Sequence, residues 1–237
     1  MAGSSKRHRA AWPAPAHAGA AVSVEPSPRG AAVRQVNGSV PTQAQIEAAL
    51  DLSSRAHDEE IVAIEAGEAL GLLVCRLGPQ SDSPVLAAHC VHVNGEEIDI
   101  LARHGVGVAH NPSSNLKLAS GVAPVAEMLA HGLAVGVGTD GCASNNDLDM
   151  FGEMRLAALL GKGSSGDASA LPAHEVLRMA TLNGAIALGL GHEIGSITPG
   201  KAADLVAVSL KGLNAAPCYD PVSHLVHVAG RECVTHV

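Results

Sequence analysis

The runs PVLAAHC (84–90), GVGVAHN (105–111) and LAVGVGTD (133–140) decide the fold. Each is a short, nearly continuous apolar stretch, the mark of a strand buried on both faces. Between the first two, Asn94 is placed to cap a helix and Glu97, three residues on, completes a capping box. Ile98, Leu101 and Ala102 supply that helix's apolar stripe, and His104-Gly105 ends it. Between the second and third runs, Pro124 opens another helix, with Val125, Met128 and Leu129 as its stripe and His131-Gly132 as its close. Strands joined by helices through short connections lie parallel in one sheet. Residues 148–160 and 172–190 read as further helices.

Each of the three strands delivers a polar side chain at its C-terminal end: His89, His110 and Asp140. A (β/α) barrel assembles its active site at that rim, from several strand ends. A doubly wound sheet more often carries a glycine-rich phosphate turn after its first strand, and VHVNGEE (91–97), which follows the first of these runs, holds none. The pattern therefore favours a TIM-like (β/α) barrel over an open doubly wound sheet, with Asp140 and His89 converging at one rim.

Upstream the signals weaken. Residues 1–41 show no sustained period and read as an irregular leader. From Thr42 to Ala56 the spacing of Ile46, Ala49 and Leu50 is helical. IVAI (61–64) reads as a buried strand, and EALGLL (68–73) as a helix ending near Gly78-Pro79.

Composition narrows the function classes. Of 237 residues, 47% are apolar, ample for a core, while Trp12, Phe151 and Tyr219 are the whole aromatic complement. Aromatic base-stacking platforms and membrane-interface belts are excluded by that shortage. The first 40 residues carry +4 and the remainder −12, and an acidic body repels nucleic acid. No apolar run is long enough for a membrane span. Five cysteines without a C-x-x-C pair fit a reduced, cytoplasmic chain. Pro13 and Pro15 interrupt what a signal peptide would need as its apolar region.

Asp140 is the leading candidate for chemistry. A carboxylate ending a buried strand costs on the order of several kcal/mol unless a cation or donors satisfy it. On spacing alone, a turn aspartate in Asp-Gly is an equal reading. His89 and His92 sit at i and i+3 of a strand and so face opposite sides; His89, nearer the strand end, is the one assigned to the site. His104 and His131 are helix C-terminal charges, and Cys142 fills a small-residue loop. The chain contains no H-x-H, H-E-x-x-H or G-x-S-x-G, so neither a compact zinc motif nor a serine nucleophile announces itself.

The runs AAHCVHV (87–93), AHNPSSNLKLASGVAPV (109–125), VGVGTDGCASNNDLDMFGEMRLAALL (135–160), ATLNGAIALGLG (180–191) and IGSITPGKAADLVAV (194–208) together resemble the C-terminal half of the metal-dependent amidohydrolase superfamily. The nearest branch is the 5-methylthioadenosine/S-adenosylhomocysteine deaminases, with the related s-triazine hydrolases beside it. The resemblance implies one divalent ion, zinc or else iron, with Asp140 as its ligand and as acceptor of a proton from the attacking water. It implies that His89 hydrogen-bonds that water, and that deamination of an adenosine-type nucleoside follows. It further implies a partial TIM-like (β/α) barrel over 42–192 and the start of a small β domain over 193–237.

Two family motifs have no counterpart. The first-strand H-x-H is missing, and IVAIEAGEAL (61–70), where H-x-x-E should lie upstream of residue 84, offers Glu65 without a histidine three before it. Asp140 is then one of four implied metal ligands, which predicts weak metal binding and little turnover by a truncated chain. Open barrel edges predict self-association, as a homo-oligomer or through a partner bringing the missing strands. Other readings are a non-catalytic remnant or interaction module, a hydrolase of triazines or other purines, and an open nucleotide-binding α/β domain.

Overall fold

The computed structural model describes residues 84–237 throughout and, upstream of them, the strands Arg34–Val36, Ile61–Ala66 and Leu72–Arg76. These three are β1, β2 and β3. They are followed by β4 (Val85–His89), α1 (Gly95–Arg103), β5 (Gly107–His110), α2 (Pro112–Lys117), α3 (Val125–Ala130) and β6 (Val135–Val137). Next come α4 (Cys142–Asn145), α5 (Met150–Ser165), α6 (Ala173–Met179), α7 (Leu182–Ala187), β7 (Ala207–Val208), α8 (Pro221–His227) and β8 (Val234–His236).

The first six strands form one sheet in chain order. β4, β5 and β6 run parallel, with Ala87 opposite Val108 and His110 opposite Val137, as the apolar runs predict. β3 is antiparallel to both β2 and β4, with Leu72 opposite His89, so the described sheet is mixed α/β rather than parallel throughout. Leu72–Arg76 overturns part of the helix expected over 68–73: a five-residue apolar stretch is short for a helix and satisfies its backbone by pairing on both sides. The strand expected at IVAI is present as β2. Arg34–Val36 pairs with β2 inside the stretch expected to be an irregular leader. The helix expected over 42–56 lies outside the described residues.

One face of the sheet carries the helices. α1 begins with the expected capping box, Asn94 accepting from the Glu97 N–H at 3.1 Å and Glu97 accepting from the Asn94 N–H at 2.8 Å. Ile98, Leu101, Val108, Met128, Val135, Met154 and Met179 close into one core, joined by Val226 from α8. The helical stretch over 172–190 is two helices rather than one: the chain breaks after Met179, and Thr181 turns its hydroxyl back to the Leu177 carbonyl at 2.7 Å. α7 then lies against the sheet at backbone distance. A Cβ on Gly107 would stand 2.4 Å from the Ala187 carbonyl oxygen, and one on Gly136 would stand 2.9 Å from Gly184 Cα. β7 and β8 pair separately as a two-stranded antiparallel sheet. No helix among the described residues is long and apolar enough to cross a membrane.

Candidate active site

The parallel strands β4, β5 and β6 end on the same rim, and there the backbone turns abruptly. His89 and Cys90 hold φ of 68° and 47°, and Asp140 holds φ of 60°. For residues with a Cβ this left-handed region costs roughly 1–2 kcal/mol each, so the surroundings must hold them there. In both places the turn swings the last side chain of an apolar run over the end of the sheet.

The two side chains meet. His89 Nε2 lies 3.8 Å from Asp140 Oδ2, with the side chains 19% and 32% exposed, leaving the pair reachable by a small molecule. The loop after β5 grips both. Ser114, on the first turn of α2, donates its hydroxyl to Asp140 Oδ2 at 2.6 Å. Its neighbour Asn115 offers Oδ1 to His89 Nδ1 at 2.8 Å, so Nδ1 carries a hydrogen and Nε2 faces the carboxylate. From the loop after β6, Ser144 donates a second hydroxyl to Asp140 Oδ2 at 2.7 Å. Partial desolvation pushes the Asp140 pKa up. The Ser114 and Ser144 hydroxyls, the Gly141 N–H and the charge on His89 outweigh it and hold the carboxyl below its ordinary range. Asp140 is therefore an ionised acceptor at neutral pH, held by donors that a plain turn aspartate in Asp-Gly does not need.

The remaining histidines behave differently. His92 is exposed and hydrogen-bonds the Ser120 carbonyl at 2.7 Å, away from the pair. It lies past the end of β4, beyond the positive-φ residues His89 and Cys90, so the strand alternation expected to separate the two histidines does not extend to it. His104 and His131 are the C-cap residues of α1 and α3, and His131 also pairs with Asp99 at 2.6 Å. His110 is 2% exposed, and its Nδ1 finds no partner among the described residues. Burial, with the charge on His89 added, pulls its pKa down to about 4 and keeps it neutral.

Sequence reasoning missed Ser114, Asn115, Ser144, Asn145 and Glu153. The signal available for the first four is the pair of polar, small-residue runs NPSSN and GCASNN that follow two of the strand ends. For Glu153 it is a charge one helical turn before Ala157, on the apolar face of α5 that Met154, Ala157, Ala158 and Gly161 also line.

A divalent ion does not fit the described residues alone. Asp140 and His89 are one carboxylate and one imidazole, and no group of three or more His, Cys, Asp or Glu side chains among the described residues is arranged to hold a metal. A catalytic zinc normally has three protein ligands.

Residues 44–237 match the Amidohydrolase family, and the chain belongs to that family. It is 59% identical over 157 residues to a 5-methylthioadenosine/S-adenosylhomocysteine deaminase of Moorella thermoacetica, covering 66% of this chain and 36% of that one. It is 55% identical over 146 residues to a 5'-deoxyadenosine deaminase of Methanosarcina mazei, covering 62% and 33%. Among solved structures, an adenosine deaminase from Xanthomonas campestris with bound zinc superposes with a TM-score of 0.62 at 51% identity, over 63% of this chain and 34% of that one. The chain thus spans about a third of the length of the relatives it matches.

Proposed function

We propose that this chain carries the C-terminal part of a hydrolytic deaminase site for adenosine-type nucleosides, on the rim of a partial (β/α) barrel. The observation that supports it is the convergence of His89 and Asp140 at 3.8 Å, with Ser114 and Ser144 keeping the carboxylate ionised. Membership of the family and likeness to deaminases of methylthioadenosine and deoxyadenosine give the reaction class. In that reaction water replaces the exocyclic amino group of the purine: one water proton leaves with the amino group as ammonia, and the other stays on the product, at the ring nitrogen beside the new carbonyl. Asp140 receives the first of those protons, and His89 holds the water's oxygen against the ring carbon. The described residues do not by themselves make a metal site, so no part of this scheme passes through an ion. A zinc-dependent form of the reaction needs ligands from elsewhere.

The same shortage of ligands favours a second reading, a non-catalytic remnant that keeps the rim without the chemistry. Ammonia release from 5'-methylthioadenosine and 5'-deoxyadenosine separates the two. It is measured on the purified chain with zinc, alone and mixed with the separately expressed N-terminal two-thirds of the Moorella relative. The chain alone is expected to retain little zinc after dialysis and to release little ammonia. The mixture is expected to release ammonia, and Asp140→Asn to lower that rate at least about a hundredfold, as loss of a general base does. An active mixture that Asp140→Asn leaves unchanged overturns the assignment of Asp140, and an inactive mixture favours the remnant.

A further inference from the structure

Glu153 is 2% exposed in the first turn of α5, on a helix face otherwise occupied by Met154, Ala157, Ala158 and Gly161. A carboxylate there gives up its hydration, and an apolar residue would fill the position at lower cost. What it touches accounts for it. Oε2 accepts the backbone N–H of Ser113 at 3.1 Å, and Oε1 accepts the Asn145 side-chain amide at 2.7 Å.

Each contact is one step from the reacting pair. Ser113 lies on the first turn of α2, where Pro112 has no N–H and Asn111 makes no capping bond, so the glutamate supplies from another helix the acceptor that this helix end lacks. The next two residues, Ser114 and Asn115, are those that bind Asp140 and His89. On the other side, the Asn145 amide also donates to the Thr139 carbonyl at 2.7 Å, directly before Asp140. Its Oδ1 accepts the Asp147 N–H at 3.2 Å. This second loop holds Asp140, Asn146 and Leu148 at φ of 60°, 76° and 54°, conformations it would leave if released. Lys117 adds a bond from α2 to the Ala143 carbonyl at 2.8 Å, on the solvent side of the same joint.

We propose that Glu153 is a positioning residue for this site: its buried carboxylate ties Asn145 to Ser113, and so clamps together the two loops that set Asp140 against His89. The proposal rests on the reading of that pair as the reacting groups, and it extends the site by a residue that touches neither. Its geometric content stands apart from turnover. A glutamine at 153 keeps the volume but has one acceptor oxygen where two are used, so one of the two ties must open.

The test is made on the full 237-residue chain. Amide hydrogen exchange and the ¹⁵N resonances of the His89 ring, assigned by their loss in His89→Asn, are compared between wild type and Glu153→Gln at one neutral pH. In the variant, exchange in 111–118 and 139–148 is expected to rise by about tenfold, as for one lost hydrogen bond, while Gly95–Arg103 keeps its protection. The His89 ring is expected to lose its preference for hydrogen on Nδ1 as Asn115 moves. Unchanged exchange in the two loops and an unchanged His89 ring overturn the proposal. So does an increase spread evenly over the chain, which would make Glu153 an ordinary packing residue. If Glu153→Gln does not fold, Asn145→Ala is judged by the same criteria, since Asn145 is only partly buried. Absence of ammonia release by wild type with its N-terminal complement refutes the deaminase reading and leaves the exchange result to decide the clamp.

Discussion

Lowering the pH from 7 to 5 should destabilise this protein through one buried side chain, His110. The ring is 2% exposed, its Nδ1 finds no partner among the described residues, and its pKa falls from 6.5 to about 4 because burial, and next the charge on His89, disfavour the imidazolium. A histidine whose pKa is lower in the folded state binds its proton more readily in the unfolded chain. Its stabilising contribution is therefore complete above about pH 6.5 and is lost as the pH falls toward about 4. With those two values the loss reaches about 2 kcal/mol at pH 5 and levels off near about 3 kcal/mol below pH 4. Asp140 acts in the same direction, but its lowered carboxyl titrates below 3.8 and contributes little in this window. His227, also lowered, first by burial and then by Lys162 and Arg155, adds to the slope in both proteins being compared. The comparison is with His110→Phe, which fills the site with another planar ring and removes the titration. Urea unfolding followed by far-ultraviolet circular dichroism at pH 7 and pH 5 gives the two stabilities. Between those pH values wild type should lose about 2 kcal/mol more than the variant. Equal losses in the two proteins would refute the assignment of a buried, neutral His110.

Three other outcomes follow from the packing. Gly107→Ala places a methyl group 2.4 Å from the Ala187 carbonyl oxygen, and forcing α7 off β5 should cost about 3 kcal/mol, read as a lower thermal midpoint. Asn94→Ala removes the capping bond to the Glu97 N–H and should cost about 1 kcal/mol in urea unfolding. Light scattering after size exclusion is expected to give a mass above the 23.9 kDa of one chain, through pairing of open sheet edges, and a monomer that melts cooperatively would exclude that association.

The segment from Pro84 to Asp140 is legible in the sequence because its signals are local. A capping box spans four residues, a buried strand is a run of a few apolar ones, and the two helices expected there, α1 and α3, end in His-Gly, with Gly105 and Gly132 at positive φ. His89 is legible as the strand-end residue of its apolar run, whereas His92 lies past the end of β4, where strand alternation no longer separates the two. Strand ends that carry polar residues also place Asp140 and His89 on one rim, because parallel strands finish on the same side of a sheet.

What lies beyond the reach of such patterns depends on partners far away along the chain. The apolar stretch Leu72–Arg76 is a strand because β2 and β4 flank it on both sides, and nothing within five residues states that. Likewise, the helical pattern over 172–190 is interrupted where α7 must meet Gly107 and Gly136 at backbone distance. The site shows the contrast most sharply. That Asp140 and His89 carry polar chemistry is written at their own positions, but what holds them is not. Ser114 reaches Asp140 and Asn115 reaches His89 across 26 residues, and Glu153 reaches Ser113 across 40. Those bonds form only once strand order and register have brought three loops to one rim, and a hydrogen bond, unlike a hydrophobic period, leaves no trace of its partner in the residues around it.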